Sequence, residues 1–164
     1  MNPFIILVIE DERPVLDALV RDLEPFTDRF RIEPAENVDD ARKVVADHLQ
    51  QENHLALILA DHLMPGTSGV DYLVELNNDP RTAPTRKVLV TAQAGLQDTV
   101  KAVNQANLHH YIAKPWTREQ LHDVVREQLT DYVVESGVDP LPFMQILDSR
   151  RLIEAVRANP KRPE

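Results

Sequence analysis

Phe4-Ile5-Ile6-Leu7-Val8-Ile9 runs straight into Glu10-Asp11-Glu12, and Leu55-Ala56-Leu57-Ile58-Leu59-Ala60 runs straight into Asp61. Both are short, unbroken apolar runs that stop at an acid. A strand with one wet face would alternate apolar and polar residues. An unbroken run of this length is what a strand covered on both faces requires. Outward from these two runs, helical spacing takes over. Residues 13–26 place Val15, Leu16, Leu19, Val20 and Leu23 on one face, with Pro14 near the start, where a missing N–H costs nothing. Phe30-Arg31-Ile32 begins a weaker strand. Residues 39–51 carry Ala41, Val44, Val45 and Leu49 at helical spacing, capped by Asn37 or Asp39.

The alternation continues to the far side. Residues 70–76 form a short helix with Val70, Leu73, Val74 and Leu76 apolar, and Asp79-Pro80 and Ala83-Pro84 mark a loop. Lys87-Val88-Leu89-Val90-Thr91 is a fourth strand. Residues 96–106 form a helix expected to turn Leu96, Val100 and Val103 inward. His110-Tyr111-Ile112-Ala113 is a fifth strand. Thr117, with Gln120 three residues on, opens a last helix whose inner face is Leu121, Val124, Val125 and Leu129. Five strand–helix units imply an α/β fold, a five-stranded parallel sheet with helices on both faces and right-handed crossovers. They fill residues 1–131. Residues 132–164 form a linker, broken at Asp139-Pro140-Leu141-Pro142, and a helical tail over 147–158. Residues 159–164 read as a frayed, charged end.

Composition narrows the function. The chain has 164 residues, 43% apolar and 27% charged, long enough for a core without staples. Eighteen basic against 27 acidic side chains leave −9, a poor charge for direct binding of nucleic acid. With no cysteine there is no disulfide framework, thiolate zinc site or cysteine nucleophile. No stretch approaches the roughly 20 apolar residues of a membrane span. The apolar start lacks the basic flank of a signal peptide, so a cytoplasmic protein is expected.

In an open parallel sheet, ligands sit beyond the carboxyl ends of the strands. Glu10-Asp11-Glu12, Asp61, Thr91-Ala92 and Lys114-Pro115 stand at four of those ends. Taken singly, each has an ordinary explanation. Acids favour a helix N-terminus, Asp is a turn residue, Thr suits a strand end and Lys suits a surface. Their falling on one rim changes the reading. Clustered carboxylates repel unless a cation neutralises them, and hard oxygen ligands suit Mg²⁺. A carboxylate is also a nucleophile toward phosphorus, in a reaction that needs little beyond positioning and charge stabilisation. Thr91 would then donate a hydrogen bond to a phosphoryl oxygen, and Lys114 would add a positive charge.

This ordered set resembles the receiver domain of bacterial two-component response regulators over roughly residues 3–131. The matching residues are Glu10-Asp11, Asp61, Met64-Pro65-Gly66 with Gly69, Thr91-Ala92, Tyr111 and Lys114-Pro115. The resemblance implies a flavodoxin-like doubly wound (βα)5 fold and a phosphorylation-controlled switch, with no reaction of its own beyond gaining and losing the phosphoryl group. It implies that Asp61 accepts that group from a sensor histidine kinase or phosphotransfer protein. It implies Mg²⁺ held by Glu10, Asp11, Asp61 and the backbone carbonyl of Leu63. Thr91 and Lys114 would bind the phosphoryl oxygens, and Tyr111 would be the aromatic that turns inward with Thr91. Ala92 would leave room for the incoming group, and Lys114-Pro115 would be cis.

Some positions qualify the match. Glu10 stands where Asp is frequent in the family. Leu63 and Gln93 occupy rim positions where neither can act as a strong base toward water. Trp116 is either a packing residue that anchors the last helix or an aromatic contact for a partner. His62 is expected on the rim. His109 and His110 point to opposite faces and cannot share a metal, and His48 and His54 have no ligand spacing. Two other readings use the same residues: a Mg²⁺-dependent aspartyl-phosphate phosphatase and a phosphorylation-independent pseudo-receiver. The phosphatases resembled usually carry a second acid just after the nucleophile, where this chain has His62 and Leu63.

No basic recognition helix follows, so the chain reads as a stand-alone receiver with a tail or as the N-terminal piece of a longer regulator. Leu147, Leu152, Ile153 and Val156 make one apolar stripe on the tail helix, and a short amphipathic helix must bury its stripe somewhere. It either folds back on its own receiver or pairs with a second chain. Self-association is the expectation favoured here, through this tail with the fifth helix or through the fourth helix, fifth strand and fifth helix.

Overall fold

β1 (Phe4–Ile9) is the centre of the molecule. It hydrogen-bonds in parallel to β2 (Arg31–Ala35) on one side and to β3 (His54–Ala60) on the other. The sheet continues through β4 (Arg86–Thr91) to β5 (His110–Ala113), in the order β2-β1-β3-β4-β5. The computed structural model describes residues 3–92 and 96–158. Its helices are α1 (Arg13–Asp22), α2 (Val38–Gln50), α3 (Gly69–Asn77), α4 (Leu96–Gln105), α5 (Arg118–Ser136) and α6 (Ser149–Ala158). This is the flavodoxin-like doubly wound order, and its switch point lies between β1 and β3, where successive crossovers leave to opposite sides. Among the described residues, no helix is long and apolar enough to cross a membrane.

The unbroken apolar runs follow from two cores. Ile6, Val8, Leu57, Leu59, Val88, Val90 and Ile112 face one layer, shared with α1 and α5. Ile5, Leu7, Ile9, Ile58, Ala60 and Leu89 face the other, shared with α2, α3 and α4. Caps fall where side chains can reach. Asn37, of the two candidates, accepts from Asp40 N (2.8 Å), and Thr117 accepts from Gln120 N (3.1 Å).

Several elements differ from expectation. α1 stops at Asp22 rather than residue 26. Pro25 would clash with the carbonyl four residues back, so the chain tightens into a 3-10 turn over Glu24–Phe26 and still buries Phe26. β2 reaches Ala35 despite Pro34. It is an edge strand, so a missing donor on its open side costs no ladder bond. The inward face of α4 is corrected. Val100 and Val103 are 48% and 53% exposed, and Ala102 and Ala106 are the buried residues. The side chain of Leu96 lies outside those described. Trp116 is a packing residue. It lies against the core of α1 and α5, and its indole donates to the buried Asp22 (3.0 Å).

α5 runs to Ser136, past the expected break at 131, and ends on Gly137, whose φ of 78° is the left-handed conformation that favours glycine. The tail then folds back. Phe143, from a 3-10 turn over Leu141–Phe143, packs on Phe4 and Phe30, and Leu147 and Leu152 join the same core. Of the two destinations open to the stripe, the fold-back is the one seen: the receiver itself takes up Leu147 and Leu152, leaving Ile153 and Val156 outward. Polar ties fix the register. Thr130 Oγ1 accepts from Asp148 N (3.2 Å), Asp148 caps Arg151 N (3.2 Å), and Arg151 pairs with Asp131. The frayed end at 159–164 lies outside the described residues.

Candidate functional site

The strand ladder extends one residue beyond the sheet at three points. Glu10 N donates to Ala35 O, Asp61 N to Ile9 O and Lys114 N to Thr91 O, each at 3.1 Å. The backbone of the site is thus fixed by the sheet before any side chain is considered. β1, β3, β4 and β5 deliver Glu10, Asp61, Thr91 and Lys114 to one rim, at the switch point where this topology opens its crevice.

The side chains converge as the acids predict. Carboxylate oxygens of Glu10, Asp11 and Asp61 lie within 4.8 Å of one another. Glu10, Asp61 and Thr91 are buried and Asp11 is exposed, so the cluster opens toward solvent on one side. Lys114 Nζ pairs with Glu10 and lies 3.3 Å from Asp61 Oδ2. Burial pushes the Glu10 carboxyl up to about 7; nearby Asp61 adds to this and Lys114 opposes it. Burial would lower Lys114, but its two carboxylate partners outweigh that and hold it above its ordinary value. Two close carboxylates and a third at the mouth, balanced by one ammonium, form a site short of positive charge. A hard divalent cation with oxygen ligands fits that donor set.

Around this cluster the loops are tightly built. A Cβ on Gly69 would stand 1.9 Å from the carbonyl oxygen of Asp61, so only glycine lets α3 begin there. Gly69 N donates to His62 O (3.0 Å), and Gly66 takes a left-handed φ of 82°. Lys114–Pro115 is cis, as expected. Tyr111 is partly buried, with its hydroxyl donating to Thr91 O (3.4 Å). Leu63 stands out at 58% exposed, and Gln93 lies outside the described residues.

Two placements were not legible beforehand. His62 is buried rather than on the rim, its ring lying between Val70 N (3.4 Å) and Asp98 Oδ2 (3.1 Å). Asp22 is a buried acid that gathers Trp116, Arg118 and Arg21. Trp116, Arg118 and Asp98 all come from far along the chain, so no local spacing announces these contacts. His109 accepts from Lys87 N (2.9 Å) and takes no part in the site.

The family model of the response regulator receiver domain matches residues 6–126. The hydrogenase transcriptional regulatory protein HoxA of Cupriavidus necator is 33% identical over 122 residues, covering 74% of this chain and 23% of that protein. Response regulator Rre1 of Synechocystis is 28% identical, covering 78% of this chain and 52% of that protein. The chain therefore spans between about a quarter and a half of these relatives' length. The solved CheY-like receiver domain protein of Methanospirillum hungatei shares the fold with a TM-score of 0.66 at 24% identity, covering 80% of this chain and 97% of that one. With the matched segment taking in Glu10, Asp61, Thr91 and Lys114, the chain belongs to the response regulator receiver domain family of two-component signalling.

Proposed function

We propose that Asp61 accepts a phosphoryl group from a phosphohistidine of a sensor histidine kinase or phosphotransfer protein, and that the chain is the resulting switch. The observation that carries this is the convergence of Glu10, Asp11, Asp61 and Lys114 on one rim. An Asp61 oxygen forms the new O–P bond while the P–N bond of the donor breaks and its electron pair returns to the imidazole. Glu10, Asp11, Asp61 and the Leu63 carbonyl are the residues that would hold Mg²⁺, which neutralises the transferring group when bound. Lys114 exchanges a carboxylate contact for a phosphoryl oxygen, Thr91 donates to another, and Ala92 leaves the approach open.

Switching then runs through Thr91 and Tyr111. Moving a 1:99 equilibrium to 99:1 takes about 5.5 kcal/mol of differential binding. One charge-assisted bond to Thr91 contributes about 1.5–3 kcal/mol, so Lys114 and the metal contribute the rest. The responsive surface is α4, β5 and α5, where outward Val100 and Val103 offer an apolar contact to a partner or a second copy. This reading places the chain in the cytoplasm beside its kinase, with output passed to a protein segment or partner. The phosphatase reading is disfavoured because the residue after Asp61 turns into the protein and the next is an exposed leucine. The pseudo-receiver reading is disfavoured because the acid, Thr and Lys set is complete.

Incubation with acetyl phosphate and Mg²⁺ should add one phosphoryl mass, lost on chelation of the metal and absent in Asp61→Asn. Equal uptake by Asp61→Asn would overturn the assignment. A phosphoprotein spectrum with shifts confined to the Asp61 loop and none at Tyr111 would overturn the switching route.

A further inference from the structure

α4 is held by an unusual balance of contacts. Among its described side chains Ala102 is buried, as is Ala106 just past its end, while Val100 and Val103 face outward. Polar ties carry the rest. Lys101 pairs with Asp71 of α3 (2.6 Å), Asn77 donates to Gln105 O (3.1 Å), and Asp98 meets His62 (3.1 Å). Only the last of these reaches the phosphoacceptor loop, because His62 follows Asp61 directly.

We propose that His62 is a positioning residue that ties the first turn of α4 to the Asp61 loop, so that α4 responds to what Asp61 carries. The proposal rests on the receiver reading for that response, but the tie itself stands on geometry alone. His62 Nδ1 accepts from Val70 N, so its proton sits on Nε2, which donates to Asp98 Oδ2. One ring thereby joins the N-terminus of α3, the first turn of α4 and the end of β3. The backbone beneath it cannot yield freely. Gly69 N bonds His62 O, and the α3 backbone lies hard against Asp61 O. A displacement at Asp61 reaches α4 through a side chain with little slack, independently of the route through Thr91. Asp98 suits this role, since an acid in the first turn also favours the helix N-terminus.

The test uses the full chain and two readouts: phosphoryl uptake by intact mass, and amide exchange of the 96–105 segment. In the unphosphorylated protein, Asp98→Ala should speed exchange in α4 by roughly three- to fivefold, the modest loss expected of a contact whose carboxylate is half-exposed. Uptake at Asp61 should persist in this variant, but phosphorylation should no longer change α4 exchange as it does in the wild type. His62→Ala should lose the response, and His62→Gln, whose amide can accept from Val70 N and donate to Asp98, should restore it. Lys101→Ala cuts a different tie and should loosen α4 while keeping the response, which separates coupling from general loosening. Wild-type α4 exchange in unphosphorylated Asp98→Ala would overturn the tie, and a full α4 response in phosphorylated Asp98→Ala would overturn the coupling. If the wild type takes up no phosphoryl group, the receiver reading fails and the coupling fails with it, while the exchange of unphosphorylated Asp98→Ala still decides the tie.

Discussion

Lys87 lies wholly buried near the start of β4, with its ammonium donating to Ala83 O (2.9 Å) and Thr85 O (2.8 Å). These two carbonyls take two of its protons but do not neutralise its charge. Burial lowers its pKa from 10.5 to about 8, with neighbouring Arg86 adding to the effect. The unfolded chain therefore binds more protons than the folded one between about pH 8 and 10.5, and stability rises with pH across that window. Below pH 8 the full cost of the buried charge is present. Lys87→Met should flatten this rise, read as the difference between the two proteins' denaturation midpoints from pH 7 to 10. An unchanged pH slope would show that Lys87 keeps its ordinary pKa. Gly69 makes the opposite kind of residue-scale demand. Gly69→Ala forces a methyl into the Asp61 carbonyl, so the expected cost is about 1–3 kcal/mol, with loss of phosphoryl uptake. The importance of Gly69 was legible as part of a motif, whereas its reason, a backbone contact with Asp61, belongs to three dimensions. Lys87 was legible only as the first residue of a strand. Nothing in a single sequence says that a lysine at a strand's start will be sealed by its own loop.

At the scale of elements, the strands were the most legible. Sheet burial on both faces leaves a local mark, and Glu10, Asp61, Thr91 and Lys114 were placed correctly because they simply follow those marks. Helix faces were less secure. On α4 the spacing of Leu96, Val100 and Val103 suggests an inward stripe, but Val100 and Val103 face outward, and among the described side chains Ala102 and Ala106 take the seat beside α3, with polar ties around them. Size misled the periodicity, because alanine carries little apolar weight and yet allows the closest approach. The consequence is measurable. Ala102→Leu should overpack the seat and cost about 1–3 kcal/mol, while Val103→Ser, on the outward face, should stay within about 0.5 kcal/mol of wild type. Urea unfolding of both variants decides it. A larger loss in Val103→Ser would restore the inward-stripe reading.

On the scale of the whole molecule, the tail decides where the folded unit ends. Sequence alone left two destinations for its apolar stripe, because amphipathicity says that a face must be covered and not by what. The structure covers Leu147 and Leu152 with the chain's own receiver and leaves Ile153 and Val156 outward. Phe143 packs between Phe4 and Phe30, Leu152 is fully buried, and the ion pairs of Arg151 with Asp131 and of Arg86 with Asp131 and Glu135 (3.4 and 3.1 Å) bracket the contact. The pair of Arg151 is partly exposed and contributes little, and in the largely buried Arg86–Asp131 pair desolvation offsets the attraction, so the apolar contact must carry most of the docking. Leu152→Ala should then cost about 2–4 kcal/mol, the range for a buried leucine that leaves a cavity. Ile153→Ala, at 42% exposed on the same helix, should cost under about 1 kcal/mol. High salt should narrow neither value much, since the difference between them is apolar. Equal, small losses in both variants, with Leu152→Ala lowering the mass in solution from dimer to monomer, would return the stripe to a second chain. A single cooperative unfolding transition that shifts as a whole in Leu152→Ala would instead make α6 part of the receiver's own core, so that an output segment joined after it would be attached to the back of α5 rather than to a free linker.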